Sequence, residues 1–542
     1  MVFSQATGSS ESKFFGKKRY VFVHTVRIVV HKYENGYGFL VMTDAPKKLE
    51  NRYVNDLRKL EFGKRQTASM RFGRFPFLVS IIFLVAAGYW GFLNLDVSTE
   101  NIIILVAASA IGAYMALNIG ANDVANNMGP AVGGRVLTIG TAVVIAAVCE
   151  SAGALLAGGD VVKTVAKGII DPSSGVSVDA FRNLMLGALL AAALWINLAT
   201  YLNAPVSTTH SIVGGVLGAG IAGAGVGLVN WVTMGKIAAS WVISPVLGGI
   251  AAASLLLFIK VKILRVDNKL QAAKKWVPIL IGLMAAAFVA YMAMKGLKKI
   301  WKPDADEILI FSGLAFLATW AVSVPYIRAA AQPLQNRRKD IHHLFNVPLI
   351  IGVSLLCFAH GANDVANAVG PLAAIVSTFA TSTVEAKVAV PFWVMLIGAL
   401  GLALGLFLFG PKLINTVGEK ITRLNAPRAY CVALASAVTV LLATALGLPV
   451  SSTHIAIGAI FGIGFLREYV ENPNKRRIKA SHRLNHTADD AFNNTNHRQK
   501  RKLVRRRFVV SIAAAWVITV PASASIAAAI FYVLQTLTLP VK

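Results

Sequence analysis

The chain has 542 residues, of which 56% are hydrophobic and 14% charged, and its formal net charge is +28. Soluble domains carry about 25% charged residues. Here the apolar residues fall in long runs instead of periodic stripes, which excludes an ordinary water-soluble domain and points to a polytopic membrane protein. The basic surplus does not indicate a nucleic-acid partner: residues 1–76 hold 15 Lys and Arg against 6 Asp and Glu, and residues 467–508 hold 13 against 4. Two polar flanks therefore carry most of the charge, and an excess of Lys and Arg in loops marks the cytoplasmic side of a membrane.

In chain order, residues 1–76 read as a basic cytoplasmic extension. The alternation from Tyr20 to Val30 and again from Tyr37 to Met42 could make a small hairpin; the alternative is a partly ordered tail. This opening lacks the short basic and apolar pattern of a cleavable signal peptide, so the span at 77–95 is expected to direct insertion. Stretches of about 20 apolar residues cross a bilayer as helices. They recur at 101–119, 137–157, 183–203, 208–229 and 237–259, completing a first unit at 77–260. A connector at 261–346 holds two more, at 277–294 and 308–326. A second unit at 347–466 holds spans at 347–369, 390–410, 428–448 and 452–466. A basic loop at 467–508, expected to be disordered or loosely helical, leads to a last span in 509–542. About twelve of these segments are expected to cross the membrane, some of the others being half-spans. Segments 260–275, 328–339 and 467–507 are placed inside, and the 96–101 link outside. Cys149, Cys357 and Cys431 sit in apolar runs without the spacing of a disulfide framework or a metal site, and read as small buried hydrophobes.

The chain repeats itself. Gly120 to Pro130 reads GANDVANNMGP and Gly361 to Pro371 reads GANDVANAVGP, identical at nine of eleven positions. A second pair follows: LATYLNAPVSTTH from Leu198 to His210, and LATALGLPVSSTH from Leu442 to His454. From Gly120 to Pro205 is 85 residues, and from Gly361 to Pro449 is 88. Two motifs in the same order at nearly the same spacing make this a duplicated bundle. Many secondary transporters are built so, with substrate near the midplane where Gly- or Pro-interrupted helices of the two halves meet. Whether the copies run parallel or inverted does not follow from the motifs.

An Asp inside a membrane helix costs on the order of 3 kcal/mol and persists where it has a partner or a task. Asp123 and Asp364 are such residues, each flanked by amides: Asn122 and Asn126 in one copy, Asn363 and Asn367 in the other. Amide oxygens can coordinate a cation and amide NH2 groups can donate to an anion. The Gly-Pro pairs after each motif are expected to weaken the helix and free backbone groups. In the second motif Pro205 and Pro449 precede runs of hydroxyls: Ser207, Thr208 and Thr209, and Ser451, Ser452 and Thr453. Hydroxyl residues favour helix N-termini, where free N–H groups and the positive dipole end form a ready anion site. Two such ends could surround a tetrahedral oxyanion. The alternative is plain helix capping; His210 and His454, which end the runs, could accept protons, the alternative being a structural hydrogen bond to a backbone carbonyl. An oxyanion beside two carboxylates would be repelled unless cations or protons neutralise them, so coupling to sodium or protons follows. Glu150 is a third acid within an apolar run, a cation ligand or a residue facing a wet vestibule.

The paired GANDVAN and PVS(S/T)TH motifs resemble those of the inorganic phosphate transporter family of sodium- or proton-coupled symporters, bacterial members above all. The resemblance implies an all-α fold with two inverted repeats and re-entrant helical hairpins, operating by alternating access in the inner cell membrane. It implies phosphate-binding roles for Asp123, Ser207, Thr208, Thr209, Asp364, Ser451, Ser452 and Thr453. Cation-binding roles follow for Asn122, Asp123, Asn126, Glu150, Asn363, Asp364 and Asn367. The second-repeat acid corresponding to Glu150 is expected to be replaced by Ala433. Some similar members carry phosphate as a neutral metal complex, and homodimers occur. No cofactor is expected beyond the coupling cation. A sulfate symporter would use the same donors, but fully ionised sulfate offers no proton to Asp123 or Asp364. An embedded phosphatase would need a nucleophile with a placed base, and a channel a filter-like sequence; neither pattern is present.

Overall fold

The structure is a computed structural model. It describes strands between Ser12 and Thr43, and residues 74–94, 99–170, 176–202, 206–296, 302–381, 390–420, 424–470 and 506–538. Pro205 and most of the basic loop expected at 467–508 lie outside the described residues. The chain forms two compact units, Met1–Arg71 and Phe72–Lys542.

In the first unit the alternating stretch becomes an antiparallel sheet of order β1-β2-β3-β4, with β1 Ser12–Phe15, β2 Lys18–Val23, β3 Val26–Tyr33 and β4 Gly36–Thr43. Tyr20 to Val30 is thus not one hairpin strand. It divides between β2 and β3, which pair from Val23 opposite Val26 back to Arg19 opposite Val30.

The named elements of the second unit are all helices, with an isolated antiparallel bridge between Ile170 and Val229. Its long helices are α1 Phe75–Asn94, α2 Thr99–Gly133, α3 Ile139–Ala157, α4 Val178–Tyr201, α5 Thr208–Ala224, α6 Trp231–Ile259, α7 Lys269–Tyr291 and α8 Ala305–Ala330. There follow α9 Asn346–Asp364, α10 Ala366–Thr381, α11 Phe392–Lys420, α12 Ala426–Ala445, α13 Ser452–Val470 and α14 Arg506–Thr538. Among the described residues eleven segments are long and apolar enough to cross a membrane, which makes this a multi-pass membrane protein; α5 and α13 are not among them. The first has only 17 residues, and the second carries Arg467 and Glu468 in its last turn. The two runs expected as spans at 208–229 and 452–466 therefore do not qualify as spans, and each packs against the helix before it.

The halves are interlocked. α2 packs on α11 of the other half and α9 on α3; α5 packs on α14 and α13 on α6. Glycine allows the first two crossings. A Cβ on Gly120 would collide with the Leu402 carbonyl, and one on Gly405 with the Leu117 carbonyl; Gly361 stands in the same relation to the Glu150 carbonyl, and Gly153 to that of Phe358. Small residues let membrane helices approach backbone to backbone. These reciprocal contacts also set the correspondence between halves: Glu150 matches Leu402, each three residues before the glycine of its helix. Ala433 is not the counterpart of Glu150. It lies in α12 against Gly352, at the place that Leu189 takes in α4, counting from the shared Leu-Ala-Thr.

The Gly-Pro pairs do not break the motif helices as expected. α2 runs unbroken through Pro130 to Gly133, and the second copy breaks at Val365, six residues before Pro371. Proline still removes the N–H that would serve the carbonyl four residues back, here those of Asn126 and Asn367. Membrane helices tolerate this where neighbouring helices supply other partners.

Candidate functional site

The polar motifs of both halves converge at one buried centre. Asp123, in mid-α2, and Asp364, the last residue of α9, are buried. The N-termini of α5 and α13 point at them. Their first hydroxyls do the capping: Ser207 accepts from the backbone N–H of His210 at 3.1 Å, and Ser451 from that of His454 at 3.3 Å. The next hydroxyls face the carboxylates. Thr208 Oγ1 lies 3.1 Å from Asp123 Oδ2 and 3.2 Å from Asp364 Oδ2. Ser452 donates to Asp364 Oδ2 at 3.3 Å, and Thr453 to Asp123 Oδ1 at 2.9 Å.

The amides divide by position. Asn126 donates to Thr453 at 2.8 Å and Asp123 at 3.4 Å, while Asn367 donates to Thr209 at 3.2 Å and Thr208 at 3.4 Å. These two lie at the centre. Asn122 and Asn363 instead hold the helix ends: Asn122 donates to Thr200 at 2.9 Å, Asn363 to Thr444 at 3.0 Å. Asn363 also donates to the Leu448 carbonyl and accepts from the Val450 N–H, so its donors and acceptor are engaged in fixing the approach to α13. This explains why Leu-Ala-Thr recurs ahead of each hydroxyl run. Thr209 donates to the Val450 carbonyl at 2.9 Å, joining the two copies of the motif.

His210 and His454 meet edge to face at 4.9 Å between ring centroids, and His210 stacks on Trp241 at 3.8 Å. His210 Nδ1 also lies 2.7 Å from Ser207 Oγ.

Sequence reasoning missed His360 and Asn127. His360 is fully buried, with Nδ1 3.1 Å from Glu150 Oε1 and Nε2 3.4 Å from Asp364 Oδ2 and 3.6 Å from Asp123 Oδ2. Its nitrogens lie at ion-pair distance but off the hydrogen-bond direction. Asn127 donates to Glu150 Oε1 at 2.8 Å. The available signal was asymmetry: Ile precedes the first Gly-Ala-Asn-Asp and His the second, and Asn127 faces Ala368 in the repeat alignment. Ligand atoms of Asp123, His360 and Asp364 lie within 4.8 Å of one another, a set able to hold a metal ion.

The phosphate transporter family model matches residues 119–527, which span both motif pairs. The chain belongs to this phosphate transporter family. It is 39% identical over 526 residues to a Helicobacter pylori strain J99 protein named as a phosphate permease, covering 88% of this chain and 98% of that protein. A Haemophilus influenzae protein named in the same way is 34% identical over 438 residues, covering 79% of this chain and 96% of that one. A solved structure titled as the sodium-dependent phosphate transporter is 35% identical, with a TM-score of 0.71, over 80% of this chain and 99% of its own. Permeases move solutes without converting them, and this family member is a transporter and not an enzyme.

The hydroxyls separate by substitution. A hydrogen bond to a charged group is worth about 1.5–3 kcal/mol, so Thr208→Val is expected to raise the half-saturating phosphate concentration of uptake about tenfold or more. Losing a cap costs about 1 kcal/mol of stability. Ser207→Ala should therefore lower the thermal unfolding midpoint and leave that concentration nearly unchanged; equal effects of the two variants on uptake would refute the division of roles.

Proposed function

We propose that this transporter is a symporter in the inner cell membrane, carrying inorganic phosphate together with sodium or protons by alternating access at the centre between its two halves. The observation that supports this best is the sharing of one hydroxyl, Thr208, by Asp123 and Asp364. A hydroxyl has one proton to donate, so it cannot satisfy both carboxylates at once. Unit charges within 4.8 Å repel by roughly 3 kcal/mol at an effective dielectric constant of 20, and an entering anion adds to that. Protonated phosphate offers hydroxyl donors to the carboxylates, and a cation offsets the remaining charge. Both are needed together, which is the physical content of coupling.

In this reading phosphate is held by Asp123, Thr208, Thr209, Asp364, Ser452 and Thr453, with Ser207 and Ser451 shaping the two helix ends. Asn126, Asn367 and the aspartates serve the cation, Asn122 and Asn363 act one step behind them, and Glu150 lies on one side. The interlocked halves are consistent with inverted repeats, α4 with α5 and α12 with α13 forming the re-entrant hairpins. A divalent metal travelling with phosphate would find carboxylate and imidazole ligands in Asp123, His360 and Asp364.

Uptake of radiolabelled phosphate into proteoliposomes tests the reading, with sodium and proton gradients imposed separately, magnesium present or absent, and excess sulfate as competitor. Uptake driven by a cation gradient and indifferent to sulfate is expected. Full competition by sulfate, or no gradient dependence in folded protein, would overturn the proposal.

A further inference from the structure

We propose that Glu150, Asn127 and His360 form a sodium site that exists once per chain, on one side of the pseudo-symmetric centre; this deepens the cation-coupled reading above and rests on it. Glu150 is completely buried and Asn127 nearly so. The two are hydrogen-bonded through Asn127 Nδ2 and Glu150 Oε1, yet among the described residues neither Glu150 Oε2 nor Asn127 Oδ1 has a hydrogen-bond partner. A buried polar atom without a partner costs stability and calls for an explanation such as an ion. With Glu150 ionised, both orphaned atoms are oxygens that only accept: one belongs to a carboxylate and the other to an amide carbonyl. A hard cation, not an anion, satisfies such atoms.

The repeat supplies its own control. Matching the halves through Gly120 and Gly361 pairs Glu150 with Leu402, Asn127 with Ala368 and His360 with Ile119. Every polar member of the set therefore has an apolar mate, whereas Asp123, Asn126 and Thr208 all have polar mates in Asp364, Asn367 and Ser452. Duplication preserved the central pair of carboxylates and left this cluster single. Were Glu150 a structural residue required by the helix crossing, the equivalent α2–α11 crossing would not do with Leu402. His360 connects the cluster to the centre, its Nδ1 facing Glu150 and its Nε2 the two aspartates. An ion on Glu150 thereby sets the imidazole that borders the phosphate carboxylates, which gives sodium a route to phosphate affinity without a shared ligand.

The test uses the full-length protein. Thermal unfolding is followed against sodium chloride with choline chloride as the ionic-strength control, without phosphate, for the wild type, Glu150→Gln and Asn127→Ala. Phosphate uptake is then titrated with sodium in proteoliposomes. Asn127→Ala installs the residue that Ala368 supplies at the mate, so it keeps the measurement open should Glu150→Gln fold poorly. Loss of a ligand or its immediate support lowers metal affinity by about 10- to 100-fold, so the half-saturating sodium concentration should rise by at least about tenfold in both assays. Unchanged sodium responses in both variants would overturn the site. Wild-type uptake of phosphate with no sodium response would overturn it too, while leaving phosphate transport standing. Sodium stabilisation without phosphate uptake would instead remove the transport reading and leave the site.

Discussion

Asp123→Asn is expected to reduce phosphate uptake at least about 100-fold while leaving the protein inserted and folded, and Asp364→Asn to do nearly the same. Asp123 accepts from Thr453 and Asn126, Asp364 from Ser452, and the single Thr208 proton lies within reach of both. Each donor to a carboxylate is worth about 1.5–3 kcal/mol, and replacing one oxygen by NH2 sets donor against donor. Two such losses account for the expected magnitude, since about 1.4 kcal/mol corresponds to a factor of ten. The amide also removes the negative charge that makes a cation necessary, so any residual uptake should lose its dependence on the cation gradient. Initial rates in proteoliposomes, with size-exclusion profiles to verify folding, measure this. Wild-type uptake by a well-folded variant would disprove the central role given to these carboxylates.

Gly361→Ala is expected to destabilise the protein by about 1–3 kcal/mol, the ordinary cost of overpacking, and Gly120→Ala to act alike. The obstacle in both cases is a backbone carbonyl of the crossing helix, of Glu150 and Leu402 respectively, so no rotamer change can relieve it. The two helices must separate, which at Gly361 also moves Glu150 away from His360. Gly129→Ala, in the same motif as Gly120, meets nothing within 4 Å and should be neutral or stabilising by up to about 1 kcal/mol, because alanine favours the helix. Thermal unfolding of the three purified variants distinguishes the cases. Equal stability of all three would show that the close helix crossings are not what these glycines serve.

The duplicated motifs marked much of the candidate site in advance. Asp123 and Asp364 are costly in a membrane wherever they lie, so their presence in both copies marked them without any knowledge of the fold. The hydroxyl runs likewise announced two helix N-termini, because Ser and Thr cap helices by a local hydrogen bond. The membrane class followed from composition alone, since long apolar runs with few charges have no other stable environment. What the tertiary structure decided depends on which helices touch. Ser207 and Ser451 became caps while Thr208, Ser452 and Thr453 became donors to carboxylates, a division set by the direction each hydroxyl faces across the centre. Asn122 and Asn363 were drawn to Thr200 and Thr444 by packing between segments some 80 residues apart. His360 and Asn127 joined the site, and Leu402 instead of Ala433 took the place opposite Glu150, because the halves exchange helices at glycine crossings. Spacing along a chain measures neither the angle of a helix crossing nor its partner, and those two quantities gave the centre its asymmetry.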